Sequence, residues 1–285
     1  SETGRRPRCR FRGRALAASA LLLLVGVGTA VYLAERWTFG GTFDPAEWRL
    51  VSRNPGEDLR RLLEQEAAAN PHLNGELMHV VAPGLELDDS FAAGGHGSPL
   101  RPSDVVRIAS ITKTFVAVAA LRLHEEGRLK LDSPVSGLVS SDTRNALEQG
   151  GYRTDEISVR HLLTHTSGIP DFTQSRAFQV RMVVDDVLGR QRVWTRLDQV
   201  RFAVAHGMST GKPGQTFAYS DTGYVILGEI IERITGRTLA ASVRDLADLD
   251  GLGLTSLYWE GAEPAPPGSR RAWQARWACL QAACS

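Results

Sequence analysis

The segment from Arg107 to Glu126 constrains the fold most, because apolar residues cover most of a helical circumference there. A helix that is apolar on so many sides is normally buried in the core of a domain. Gly127 follows it as a typical helix stop. The sequence therefore predicts a buried helix against which other elements pack. Its apolar residues are Phe115, Val116, Val118, Ala119, Ala120, Leu121 and Leu123.

Shorter patterns predict further elements on both sides of this helix. A helix over residues 59–69 is stopped by Asn70 and Pro71. Two strands follow near residues 76–82 and 88–93, with a Pro-Gly turn signal between them. Three more helices are predicted at residues 158–163, 197–205 and 221–235. No internal repeats appear, so a repeat architecture is not indicated.

Charge and cysteine content exclude several function classes. The formal net charge is +1, but six arginines lie within residues 1–14, so the remainder of the chain is mildly acidic. A mildly acidic body gives no support to nucleic-acid binding, which requires a basic face. Three cysteines do not make a disulfide framework. Cys279 and Cys284 either pair or remain as two free thiols. No Cys and His spacing indicates a zinc site.

The N-terminal region predicts export across a membrane. Residues 15–34 are almost wholly apolar, and about 20 such residues span a bilayer as a helix. The preceding arginines indicate that residues 1–14 stay in the cytoplasm. A cleaved signal peptide is the alternative to a transmembrane helix or uncleaved signal anchor. Either way, we expect an extracytoplasmic body in a bacterial cell envelope, with residues 35–56 as a juxtamembrane connector.

Ser110 and Lys113 form the first candidate site. They lie three residues apart at the start of the apolar helix, so the hydroxyl and the ammonium can meet on one face. A serine hydroxyl needs a base to become a nucleophile, and a lysine in an apolar setting loses its charge more readily. A helix N-terminus would also favour an alkoxide. The alternative is a chance spacing with a surface lysine.

Two further segments carry polar residues. His161 and His165 lie four apart, but the glutamate of a zinc-protease motif is missing and Gly168-Ile-Pro170 ends the helix, so a polar turn that shapes a cleft is favoured over a metal site. Tyr219 lies between a tight turn and a long helix and can transfer protons beside a lysine. The alternative is a tyrosine packed near a helix whose N-cap is Asp221.

Together, these segments resemble the serine β-lactamase-like hydrolases, a family that includes class C β-lactamases, D-alanyl-D-alanine carboxypeptidases and related esterases. The matching segments are residues 105–137, 161–169 and 211–236. The resemblance covers about residues 70–260. It implies an α/β fold in which an antiparallel sheet is flanked by helices, with an all-helical subdomain and the site in the cleft between them. We assign the domain to residues 57–260 and an atypical tail to residues 261–285.

The resemblance also implies the roles of the site residues. Ser110 is the acylated nucleophile, Lys113 its base and Tyr219 the proton shuttle to the leaving group. No metal or organic cofactor is required. Asp221, a substrate-binding position, replaces the usual asparagine. An aspartate there would pair with Lys113 and favour its charged form. We therefore hypothesise that Tyr219 is the base, with Lys113 as an electrostatic support.

One implied element is missing. The family carries a Lys-Thr-Gly or His-x-Gly strand after the second segment, but this sequence has no lysine or histidine after Lys212. We expect a truncated or frame-shifted product, since residues beyond Trp259 show no strand pattern. The leading hypothesis is a serine hydrolase of the β-lactamase, D-Ala-D-Ala carboxypeptidase or esterase type, acting on a small-molecule, peptide or ester substrate. The alternative is a catalytically inactive, membrane-tethered binding or scaffold protein of the same fold.

Overall fold

The computed structural model describes residues 54–71, 75–95, 97–190 and 194–270. The chain divides into two compact units between Asp58 and Leu59, and the site lies in the second. The predicted segments 1–14 and 15–34, and nearly all of the connector 35–56, lie outside the described residues. Within the described ranges, no helix has both the length and the apolar character that a membrane crossing requires.

A helix and a two-stranded antiparallel ladder come first. Helix α1 (Pro55–Ala69) is followed by β1 (Glu76–Ala82) and β2 (Leu87–Ala93), with Met78 opposite Phe91. Both predicted strands are confirmed, and the second begins one residue earlier than expected. Leu63 packs with Phe91 and Ala93 in a small core of its own. The ladder supplies the sheet part of the predicted α/β fold.

Seven helices form the larger part of the described chain. Helix α7 packs against α2, α4, α6 and α8. Its Ile226, Leu227, Ile230 and Ile231 have no exposed surface, so α7 is the centre of the main core. The helices are α2 (Thr112–Glu125), α3 (Ser141–Gln149), α4 (Val159–Leu163), α5 (Arg176–Val187), α6 (Arg196–His206), α7 (Asp221–Thr235) and α8 (Leu239–Leu246).

The predicted helix from Arg107 to Glu126 is correct only in part. A 3₁₀ turn occupies Ala109–Ile111, and the α-helix begins at Thr112. One face of α2 is buried, but Val118 and Leu121 are 42% and 44% exposed. The expectation of burial on most sides was wrong because α7, rather than α2, takes the central position.

Serine side chains cap two helices that position the site. Ser158 caps α4, because its Oγ accepts a hydrogen bond from the His161 amide at 3.3 Å. Ser220, not Asp221, caps α7, because its Oγ accepts from the Gly223 amide at 3.3 Å. The alternative interpretation of Asp221 as the N-cap is therefore wrong. Its carboxylate is instead available to the site.

The atypical tail is described as far as Arg270 and packs back onto the domain. The Arg270 guanidinium bonds the buried Asp104 carboxylate and donates to the Pro99 carbonyl at 2.7 Å. Glu260, the last residue before the tail, accepts two hydrogen bonds from Arg107, at 2.6 and 2.9 Å. Residues 260–270 contain turns, in agreement with the absence of a strand pattern in the sequence.

Candidate active site

Ser110 lies in the 3₁₀ turn that leads into α2. The residue before it, Ala109, has φ 46°, a left-handed conformation that costs an L-residue about 1–2 kcal/mol. Such strain is often concentrated at functional sites. Lys113 belongs to the first turn of α2, and its Nζ lies 3.3 Å from Ser110 Oγ. The predicted meeting of hydroxyl and ammonium is present in the structure.

Tyr219 reaches the same serine from the loop before α7. Its hydroxyl lies 2.8 Å from Ser110 Oγ. The Lys113 ammonium is 4.9 Å from the centre of the Tyr219 ring. Ser110 and Tyr219 are both exposed, so a ligand can approach this pair from solvent. The structure therefore brings the three predicted residues together at an accessible surface.

Asp221 forms an ion pair with Lys113. The two side chains are 15% and 10% exposed, so water screens the pair only weakly. Burial lowers the pKa of Lys113, but the hydrogen bonds to Asp221 and Tyr219 outweigh burial and leave this pKa above its usual value. Lys113 accordingly holds an ammonium at neutral pH.

His165 supports Tyr219 from the turn after α4. Its ring stacks on the Tyr219 ring with centroids 4.5 Å apart, and its Nδ1 accepts from the Ser220 amide at 3.1 Å. His165 has φ 56°, which aims the ring at this loop. Burial, followed by the positive charge of Lys113, lowers the pKa of His165, so the ring is neutral at neutral pH. His161 is occupied elsewhere, since its Nδ1 accepts from the Ser158 amide at 3.2 Å.

A second carboxyl group lies behind Asp221. Asp171 Oδ1 accepts from both the amide and the hydroxyl of Thr173, each at 2.8 Å. Thr173 Oγ1 is also 3.4 Å from Asp221 Oδ2. Burial, followed by the charge of Asp221, raises the pKa of Asp171. Sequence reasoning missed Asp171 and Thr173, because they follow Pro170 in a segment that carries only a turn signal.

Comparison with known proteins identifies a family that matches most of the chain. A family model described as Beta-lactamase matches residues 60–282. The esterase EstB of Burkholderia gladioli is 33% identical over 207 residues, which is 72% of this chain and 49% of that protein. The chain therefore spans about half the length of this curated relative.

Two solved structures resemble the fold. A D-stereospecific amidohydrolase from Streptomyces sp. has a TM-score of 0.60 and 30% identity, covering 74% of this chain and 59% of that one. A D-amino acid amidase from Ochrobactrum anthropi SV3, complexed with D-phenylalanine, has a TM-score of 0.59 and 26% identity, covering 76% and 55%. The similarity to both extends over about three quarters of this chain.

Proposed function

The chain belongs to the beta-lactamase family, and from that premise we propose that it is a serine hydrolase whose nucleophile is Ser110. The observation that carries the proposal is that Ser110 Oγ lies within hydrogen-bond distance of both Lys113 Nζ and Tyr219 OH. A nucleophile needs a base within this reach to lose its proton. The two partners come from separate parts of the chain, so their meeting at one oxygen is a tertiary arrangement.

Tyr219 moves the protons in this mechanism. As a phenolate, it takes the hydroxyl proton of Ser110 while Oγ bonds to the carbonyl carbon of the substrate. When the tetrahedral intermediate collapses, Tyr219 gives that proton to the departing alcohol or amine. The acyl group remains on Ser110 Oγ. A water molecule then attacks the acyl carbon, passes a proton through Tyr219 back to Ser110 and releases the acid.

Lys113 supports this cycle as a fixed positive charge. Its ammonium is paired with Asp221 and therefore lacks the lone pair that a base requires. Lying 4.9 Å from the Tyr219 ring centre, the ammonium stabilises a phenolate there by Coulomb attraction. This division of roles follows from aspartate, rather than asparagine, at position 221. No step of the mechanism draws on a metal or an organic cofactor.

The proposed substrates are small esters or amides. The named relatives are an esterase, a D-stereospecific amidohydrolase and a D-amino acid amidase. Ester and amide hydrolysis share the tetrahedral intermediate that the arrangement around Ser110 can serve. A β-lactam or a D-Ala-D-Ala peptide presents the same reacting group, a carbonyl carbon attached to nitrogen. These substrates belong to one reaction class and are separated by assay.

The test is covalent labelling of the full chain. We expect a fluorophosphonate probe to label the native protein. Rates of reaction with p-nitrophenyl acetate, D-phenylalanine amide and a fluorescent penicillin then rank esters, amides and β-lactams as substrates. Ser110→Ala removes the label, whereas Ser141→Ala, at an exposed serine that begins α3, retains it. Absence of label on well-folded native protein would refute the hydrolase and favour the inactive binding or scaffold protein.

We also propose that residues 15–34 tether or export the domain, which then lies outside the cytoplasm. The proposal is supported by the apolar run and the arginines before it. Fractionation of bacteria that express the full chain tests this proposal. Recovery with the membrane after an alkaline wash supports an anchor, and release with a shortened N-terminus supports cleavage. Recovery of the intact chain in the cytosol would refute both.

A further inference from the structure

Thr173 lies between two buried carboxyl groups. Its Oγ1 is 2.8 Å from Asp171 Oδ1 and 3.4 Å from Asp221 Oδ2. A threonine hydroxyl has one proton and can donate to only one of them. If both carboxyl groups are ionised, the second oxygen meets a lone pair of the hydroxyl. One added proton removes this conflict, because it completes a chain of donors from one carboxyl group through Thr173 to the other.

The surrounding charges favour that added proton. With both carboxyl groups ionised, the Lys113 ammonium would face two negative charges in a place where Asp171 and Asp221 are only 7% and 8% exposed. Asp171 Oδ2 is buried and has no well-aligned hydrogen-bond donor among the described residues. The hydrogen bonds of the carboxyl group to Thr173 and to the Asp221 amide offset its burial only in part, and a poorly satisfied ionised oxygen is costly. Two carboxyl groups that share a site typically hold one proton between them. The raised pKa of Asp171 is in accord with this.

We propose that Asp171 is a positioning residue that shares one proton with Asp221 through Thr173, and that the place of this proton sets whether the Lys113 ammonium is paired with a carboxylate at Asp221. The inference rests on the proposed hydrolase function and deepens it. While Asp171 holds the proton, Asp221 is ionised and keeps Lys113 as an ammonium.

The proton moves by a balanced relay. Asp171 gives its proton to Thr173 Oγ1, and Thr173 gives its own to Asp221 Oδ2. Asp221 becomes neutral and Lys113 loses its counter-ion, so the positive charge of the ammonium acts on the Tyr219 oxygen without a competing carboxylate. The relay runs in reverse when Asp221 returns a proton to Thr173 and Thr173 returns one to Asp171.

Several titratable groups surround the carboxyl groups of Asp171 and Asp221. Lys113 approaches from α2, and Tyr224, on α7, lies with its ring centre 5.8 Å from the Lys113 Nζ. Tyr219 approaches from the loop before α7, and His165 stacks on Tyr219. The lowered pKa of His165 keeps that ring neutral. At neutral pH, Lys113 is therefore the cation of this group.

Infrared spectroscopy of the full chain tests the shared proton without any substrate. We expect a carboxylic-acid C=O band at neutral pH that disappears in Asp171→Asn. The matched control is Asp104→Asn, which replaces an equally buried aspartate whose pKa is lowered by the hydrogen bond with Arg270. This control keeps the band. A native protein without the band, or an unchanged band in Asp171→Asn, would overturn the shared proton.

Kinetics of p-nitrophenyl acetate hydrolysis test the relay. Thr173→Val removes the bridging hydroxyl, and we expect kcat to fall roughly ten-fold with KM unchanged. This loss is a fraction of the ~10²–10⁴-fold rate enhancement that general acid–base catalysis supplies. Thr173→Ser restores the hydroxyl and the rate. Equal kcat in native protein and Thr173→Val would overturn the relay. Native protein that shows the band but hydrolyses none of the substrates would refute the hydrolase proposal and leave the shared proton supported. Native protein that hydrolyses a substrate but lacks the carboxylic-acid band would support the hydrolase proposal and refute the shared proton.

Discussion

The hydroxyl of Tyr219 lies 2.8 Å from Ser110 Oγ, although the two residues are 109 positions apart in the sequence. The contact holds the loop before α7 against the turn before α2. Both side chains are exposed to solvent. The proposed proton transfer therefore depends on tertiary packing as much as on the turn that carries Ser110 and Lys113.

Removing that phenol should reduce the rate without unfolding the protein. We expect Tyr219→Phe to lower kcat by about 10²-fold or more, because general acid–base groups typically contribute 10²–10⁴-fold. The melting temperature should change little, since the side chain is 41% exposed. Steady-state hydrolysis of p-nitrophenyl acetate measures the loss. The control, Tyr152→Phe, removes a hydroxyl that bonds Ser209 away from the site and should keep kcat. A fully active Tyr219→Phe would exclude the phenol as the base.

Asparagine at position 221 should shift the pH–rate profile. Asp221 raises the pKa of Lys113, so Asp221→Asn lowers that pKa and the ammonium is lost at a lower pH. In the proposed mechanism Lys113 acts as a cation, and the alkaline limb of kcat/KM therefore moves to lower pH. Rates measured across the pH range give the shift. A profile unaffected by the substitution contradicts the coupling, and movement of the acidic limb alone would make Lys113 the base.

The same ion pair has a consequence for stability. The pKa of Lys113 in the folded protein lies above its usual value of 10.5. The stabilisation is therefore fully present below about pH 10.5 and is lost as the pH rises through the folded pKa. Native protein should lose more unfolding free energy than Asp221→Asn between neutral and strongly alkaline pH. Urea unfolding of both proteins measures the difference, and parallel curves would contradict it.

Much of this architecture follows from local patterns, and the predicted family is confirmed. Helix α7 has the predicted bounds because hydrophobic periodicity and the Gly236 stop are local signals. Ser110 and Lys113 were predictable for the same reason, since three residues of helix fix their spacing. The residues that surround this site, Asp171 and His165, were not predictable from local patterns. Asp171 and His165 act through contacts with residues about 50 positions away, and one sequence carries no signal for such pairs.

The core around α7 should be sensitive to cavities. Ile230 has no exposed surface and lies in the main core. Ile230→Ala should lower the free energy of unfolding by about 2–5 kcal/mol, the cost of lost burial plus the remaining cavity. Urea unfolding measures the change in midpoint at constant slope. Val187→Ala, at a residue 76% exposed, should stay within about 0.5 kcal/mol of the native protein. Equal effects at both positions would contradict the central place of α7.

His165 should make the fold sensitive to acid. Burial and the charge of Lys113 lower its pKa from the usual 6.5, so the unfolded chain takes up a proton at a higher pH than the folded one. Stability is therefore intact above about pH 6.5 and declines as the pH falls below it. His165→Asn should weaken this decline, because asparagine tolerates the left-handed conformation and its oxygen can accept from the Ser220 amide.

Urea unfolding at about pH 8 and about pH 5, on either side of the usual histidine pKa, measures the acid sensitivity. The matched control is His79→Asn on β1, at an exposed histidine whose Nδ1 lies 3.0 Å from Ser90 Oγ. The control should lose as much stability in acid as the native protein, whereas His165→Asn should lose less. Of the two histidines compared, only His165 combines burial with a nearby ammonium. Equal losses of stability in all three proteins would therefore show that His165 does not cause the acid sensitivity.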